Sequence, residues 1–319
     1  VSGLTRRGPV GVLAMTYGGP DKIEAVPGYL ADIRAGRPTP RRVLEEITEH
    51  YRCIGGSSPL LKNTQRQIAA LALRLGPGFR CYVGMRHWSP WIEETVGAMA
   101  EDGITQAVGI VLAPHFNGWN NGRYFQKIEA GRAMYRAPIE FAMVKSYHDA
   151  PGLIAALAYR VQEGLAQWSA ERCGEVHVVF CAHSLPVRVA PEGDPYASQL
   201  LETARRVAAK AELAADRWSW AYVSAGRSAE PWLGPSLLDH LQGLVARGIR
   251  DVVCVPVGFV TDHVEVLYDI DVEARQRAVQ LGMRLVRPAS LNDDPLFIET
   301  LAEAVKQRAT VLAGKNAPA

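Results

Sequence analysis

GITQAVGIVLAPHF (residues 103–116) and GIRDVVCVPVGFV (residues 248–260) decide the fold. Each begins Gly-Ile, passes two polar or small residues, enters a short apolar strand and meets a Pro close to its end. A strand that is apolar at successive positions, not alternate ones, is covered on both faces, and that points to a parallel sheet. Gly103 and Gly248 fit the left-handed residue that closes a preceding helix. The two stretches read as a pseudo-repeat, one strand–helix unit in each of two lobes.

Outward from these units, short apolar runs alternate with longer amphipathic ones. Strands are expected at 10–15, 80–84, 106–112, 139–145, 176–181, 218–223 and 252–257. Helices are expected at 40–51, 63–75, 91–101, 122–134, 151–170, 195–211, 235–246 and 294–312. Strand and helix in alternation predict an α/β fold of two doubly wound, Rossmann-like parallel-sheet lobes with a cleft between them. The N-terminal lobe is expected at 1–147, completed by the helix 294–312, and the C-terminal lobe at 148–293.

Composition narrows the classes of function. Of 319 residues, 48% are hydrophobic and 21% charged, which is ordinary globular usage. Thirty-five Lys and Arg against 33 Asp and Glu leave a net charge of +2, no argument for nucleic acid or an anionic membrane surface. Peripheral membrane contact is the most that is expected. The five cysteines are odd in number and contain no CxxC, so neither a disulfide framework nor a local zinc or iron–sulfur motif is read. Arg6 and Arg7 precede an apolar run only one strand long, which reads as a first core strand, not a targeting segment. A reducing cytoplasm is the expected location, and a monomer the expected state.

In open parallel sheets the binding crevice lies beyond the carboxyl ends of the strands. Tyr17, His87, His115, His183, His263 and Glu265 all fall there. A lone strand-end His is more often structural than catalytic, but four of the eight histidines gather at these ends. His183, in CAHSLP, is the foremost candidate, as a metal ligand or a proton acceptor near neutral pH. Ser184 beside it lacks a GxSxG context, and a nucleophilic role is disfavoured. Glu265, Asp269 and Glu273 recur every four residues in DHVEVLYDIDVEA, a row of carboxylates along one helix face. A solvated acidic face is the bland reading; a path for a cation is the sharper one, because the row starts in the crevice. Neither a P-loop nor GxGxxG follows a strand, which disfavours nucleotides. Aromatic side chains and Gly-rich turns at the strand ends suit a large planar ligand.

HSLP (His183–Pro186), PWLGP (Pro231–Pro235) and PVGFVTDHVEVLYDID (Pro256–Asp271), in that order, resemble the ferrochelatases, a class II chelatase family, over nearly the whole chain. The resemblance is strongest to the compact enzymes acting on coproporphyrin III, which carry a Tyr where this chain has Tyr17. It implies a lyase of heme biosynthesis that inserts Fe2+ into a porphyrin, with no cofactor beyond the substrate iron. His183 and Glu265 match the family's active-site pair, and Tyr17 the residue on the opposite face of the macrocycle. Arg34, Tyr51, Ser58 and Tyr124 fall where the family holds propionates. Glu265, Asp269 and Glu273 match its acidic metal line. Members with an iron–sulfur cluster use clustered C-terminal cysteines, and the last cysteine here is Cys254, so no cluster is expected.

Departures from the family pattern are His50, where Arg often precedes the Tyr, Ala225 and Arg227 in SAGRSAEPWLGP, and the FNGWNNG loop. The competing expectations are a protoporphyrin IX ferrochelatase, a non-catalytic tetrapyrrole or metal-binding protein, and a cobalt or nickel chelatase for sirohydrochlorin.

Overall fold

The computed structural model describes residues 8–226 and 230–315. Arg227, one of the departures noted above, lies outside them. Two four-stranded sheets form the frame. The first contains β1 (Val10–Thr16), β2 (Phe79–Met85), β3 (Gln106–Val111) and β4 (Glu140–Val144), in the order β2-β1-β3-β4. The second contains β5 (His177–His183), β6 (Trp218–Val223), β7 (Asp251–Val255) and β8 (Arg284–Val286), in the order β6-β5-β7-β8. Every pairing is parallel. The strand orders are the same, and the repeated sequence units supply equivalent strands, β3 and β7.

The helices are α1 (Val26–Ile33), α2 (Arg41–Cys53), α3 (Leu60–Leu75), α4 (Ile92–Glu101), α5 (Gly118–Met134), α6 (Pro151–Leu165), α7 (Ala170–Cys173), α8 (Tyr196–Lys210), α9 (Leu237–Ala246), α10 (Arg275–Gln280) and α11 (Pro295–Lys315). A π-helix, Glu265–Ala274, precedes α10. α3 buries Leu60, Asn63, Thr64, Gln67, Ile68, Leu71 and Leu75, the helical spacing that lays one face on a sheet. One apolar cluster joins the two sheets. Val12, Val108 and Ile110 of the first pack in the same core as Val178, Phe180 and Val253 of the second, with α6 and α11 contributing Leu157, Phe297 and Leu301.

The expected helix 151–170 ends earlier, at Leu165. Trp168 folds back and is buried, and turn bonds from Gln167 N to Gly164 O and from Trp168 N to Leu165 O end α6. α1 is absent from the expected helices; Pro27 and Gly28 interrupt its pattern, and Pro is tolerated in the first helical turn. β8, at three residues, is too short to show a periodic signal. No helix among the described residues is long and apolar enough to cross a membrane.

Candidate active site

In each sheet the chain crosses from one side of its first strand to the other. The two crossings, between β1 and β3 and between β5 and β7, are the points where parallel sheets open a crevice. A cavity of about 410 Å³ lies there, lined by residues that follow β1, β2, β3, β5 and β7.

β5 brings His183 to the wall. Its preceding residues are fully buried, and the strand then stops. Ser184 N donates to Val223 O at 2.8 Å, and Pro186 has no N–H to continue a ladder. Tyr196 Oη donates to the His183 carbonyl at 2.9 Å, so the imidazole stands on a pinned backbone. Ser184 is buried and its hydroxyl donates to Leu233 O at 2.7 Å, which leaves it no nucleophilic role.

Glu265 opens the π-helix and faces His183. The distance from His183 Nδ1 to Glu265 Oε2 is 2.8 Å. With Nδ1–H donated to the carboxylate, Nε2 carries the lone pair. About a third of each side chain is exposed, and both line the cavity. Burial opposes charge on both groups, but each outweighs it for the other. The His183 imidazole and its hydrogen bond bring Glu265 down to about 2. Against the same burial, Glu265 and then Asp269 raise His183 above its ordinary value. Asp269 takes the opposite course: burial, then the Glu265 charge, push it up to about 7, although Ser224 Oγ donates to it. Glu273, at the end of the row, is exposed. The carboxylates therefore grade from recess to surface.

Tyr17 follows β1. Its ring lies 4.5 Å from that of His87, and burial pushes its phenol up to about 12. Tyr51, Ser58 and Tyr124 also line the cavity. Burial raises the phenols of Tyr51 and Tyr124 well beyond the ordinary tyrosine range, so both stay neutral donors. Arg34 does not line it: its guanidinium Nε turns to Pro38 O at 3.2 Å. His50 is also elsewhere, stacked on Tyr268 with ring centroids 3.6 Å apart. His115 and His263 line the wall; burial and His148 bring His115 down to about 3, so it is neutral.

Two arginines lining the cavity were not singled out from sequence. Arg86, only 6% exposed, donates to Asn120 Oδ1 at 2.5 Å and lies 5.4, 5.7 and 5.5 Å from the rings of Tyr17, Trp119 and Tyr124. Arg188 follows β5 and pairs with Glu230 at 2.5 Å. Arg86 directly precedes His87, and its pairing with Asn120 of α5 is the signal that sequence lacks.

The arrangement offers a proton acceptor, a graded carboxylate row and a wall rich in aromatic side chains. Comparison with known proteins agrees with it. A family model described as Ferrochelatase matches residues 9–309. A protein named Ferrochelatase from Deinococcus radiodurans is 52% identical, covering 97% of this chain and 99% of its own. One named Coproporphyrin III ferrochelatase from a Geobacillus species is 39% identical, covering 94% and 97%. Among solved structures, the sirohydrochlorin chelatase SirB of Bacillus subtilis subspecies spizizenii, in complex with cobalt, shares the fold at a TM-score of 0.58 and 9% identity, covering 96% and 97%. The chain belongs to the ferrochelatase family.

Proposed function

We propose that this ferrochelatase inserts Fe2+ into coproporphyrin III, giving the iron porphyrin in heme biosynthesis. The observation that carries the choice of porphyrin is the spread of carboxylate-binding groups around the cavity. Tyr51 and Ser58 come from the α2–α3 region, Arg86 and Asn120 from β2 and α5, and Arg188 from the segment after β5. Coproporphyrin III carries propionates on all four of its pyrrole rings, whereas protoporphyrin IX would leave part of this ring of donors without a carboxylate. Relatives named Coproporphyrin III ferrochelatase support the same reading.

Metalation exchanges two pyrrole protons for one Fe2+. His183 Nε2 accepts the two protons one after the other, passing on the first before the second leaves the macrocycle, and Glu265 orients the imidazole and stabilises the cation that forms each time. Glu265, held near 2, is a charge partner more than a proton store. Asp269, near 7, is the carboxyl able to take the proton on, and Asp269 and Glu273 extend the row toward solvent as ligands for the incoming cation. Tyr17 lies on the first-sheet side, the other wall for a flat macrocycle.

The test is anaerobic Fe2+ with each porphyrin, followed by the visible spectrum. Coproporphyrin III is expected to be metalated fastest. Faster turnover of protoporphyrin IX would move the reading to that substrate, and no turnover of either above the protein-free rate would remove it. His183→Ala should lower kcat by about 10²-fold or more with porphyrin binding retained.

A further inference from the structure

Ser146, His148 and Asp149 follow β4, and Glu202 lies on α8. His148, Asp149 and Glu202 each offer one ligand atom, and these atoms lie within 4.8 Å of one another. None of the three lines the cavity that holds His183.

The proton positions around His148 follow from its neighbours. Ser146 Oγ has one hydrogen, and the Pro114 carbonyl 2.7 Å away can only accept it. The other oxygen in reach, Gln199 Oε1 at 3.2 Å, is also an acceptor, already receiving Phe116 N–H. The 2.8 Å contact between Ser146 Oγ and His148 Nδ1 therefore takes its hydrogen from Nδ1. In a neutral imidazole this leaves a lone pair on Nε2, 3.1 Å from Glu202 Oε2. Two acceptors at that distance repel unless a proton or a metal cation stands between them. The carboxylate is fixed in this pose, because Arg206 holds Glu202 Oε1 through Nε at 2.9 Å and Nη2 at 2.6 Å. Thr203 Oγ1 donates to the His148 carbonyl at 2.8 Å and fixes the backbone.

We propose that His148 Nε2, Glu202 Oε2 and Asp149 form a binding site for a borderline divalent cation such as Zn2+ or Co2+, separate from the chelation cavity. One imidazole and two carboxylates suit that class of ion. Ligands at about 2.0–2.2 Å from a tetrahedral ion stand about 3.4 Å apart, close to the Nε2–Oε2 separation already present. Asp149 Oδ1 lies 4.0 Å from His148 Nδ1, and its side chain is more than half exposed, so closing the site requires it to rotate toward Nε2, with water completing the shell. The Nδ1–H bond to Ser146 is the outer hydrogen bond that sets tautomer and ring orientation in histidine metal sites. A bound ion would tie the segment after β4 to α8.

Equilibrium dialysis of the full chain against Zn2+ tests this without porphyrin, so the result is independent of the chelatase reading. The wild type is expected to bind one more Zn2+ than His148→Ala or the near-isosteric Glu202→Gln. The double variant His183→Ala, Glu265→Gln should keep that ion. Ser146→Ala should weaken it by about 10- to 100-fold. Binding should weaken as the pH is lowered, because a proton competes for the same gap. If Glu202→Gln, folded by circular dichroism, binds as many Zn2+ as the wild type, the proposal falls. Zn2+ binding that does not change with pH would overturn it as well, because the ion would then sit elsewhere.

Discussion

His183 and Glu265 share one hydrogen bond, yet the two groups are moved in opposite directions. The imidazole gains protons more readily because Glu265 stays charged beside it. Glu265→Gln removes that cause, and burial then acts unopposed by it. The His183 titration, read by NMR, should shift to lower pH in this variant; an unchanged midpoint would mean that the carboxylate does not govern it. Asp269 carries the second pH effect. It is protonated below about 7, so the apparent KM for Fe2+ should fall as pH rises through that value. Asp269→Asn should flatten this dependence. His183, Glu265 and Asp269 were legible in the sequence because a strand end and a four-residue spacing are local patterns. Asp32, whose Oδ2 sits 2.6 Å from His87 Nδ1, was not, since that pair is made across 55 residues between α1 and the end of β2. Arg34 was expected at the cavity and is absent from it because the nearby Pro38 carbonyl satisfies its guanidinium locally.

The loop after β7 and the π-helix act as one element. Gly258 packs against β5, where an added Cβ would press into the Ala182 methyl and lie 3.0 Å from its Cα. Gly258→Ala should therefore cost about 1–3 kcal/mol, seen as a lower urea midpoint, and should lower kcat by moving Glu265 away from His183. No loss of stability would show that the loop yields freely. The loop is also held from outside the cavity. Asp262 accepts from Ser290 Oγ, Arg287 Nη1 and Asn292 Nδ2 at 2.8, 3.1 and 2.9 Å, and Arg287 Nη2 reaches Asp271 at 2.6 Å. A helix was expected under the acidic row; its slower π winding was not legible, because spacings of four keep side chains near one face in either form. Such windings are rare and concentrate at functional sites.

At the scale of the molecule, α11 is not an appendage. Phe297, Leu301, Ala302 and Val305 are fully buried in the core that joins the sheets. Asp294 caps the helix through Leu296 N at 2.9 Å and pairs with Arg160 of α6 at 3.0 Å. Ending the chain after residue 293 should leave no cooperative unfolding transition in urea, since each large apolar side chain so exposed forfeits about 1.5–3 kcal/mol. A cooperative transition in the shortened chain would show that α11 is dispensable. The two-sheet plan was legible because β3 and β7 carry nearly the same sentence of sequence. The shared core was not, because apolar periodicity says which face is buried and not against what. The identical strand orders, β2-β1-β3-β4 and β6-β5-β7-β8, have a consequence for the two walls. Tyr17 and His183 each stand at the carboxyl end of the strand that opens its sheet, so like places in two like sheets face one cavity, with a phenol on one side and a base on the other.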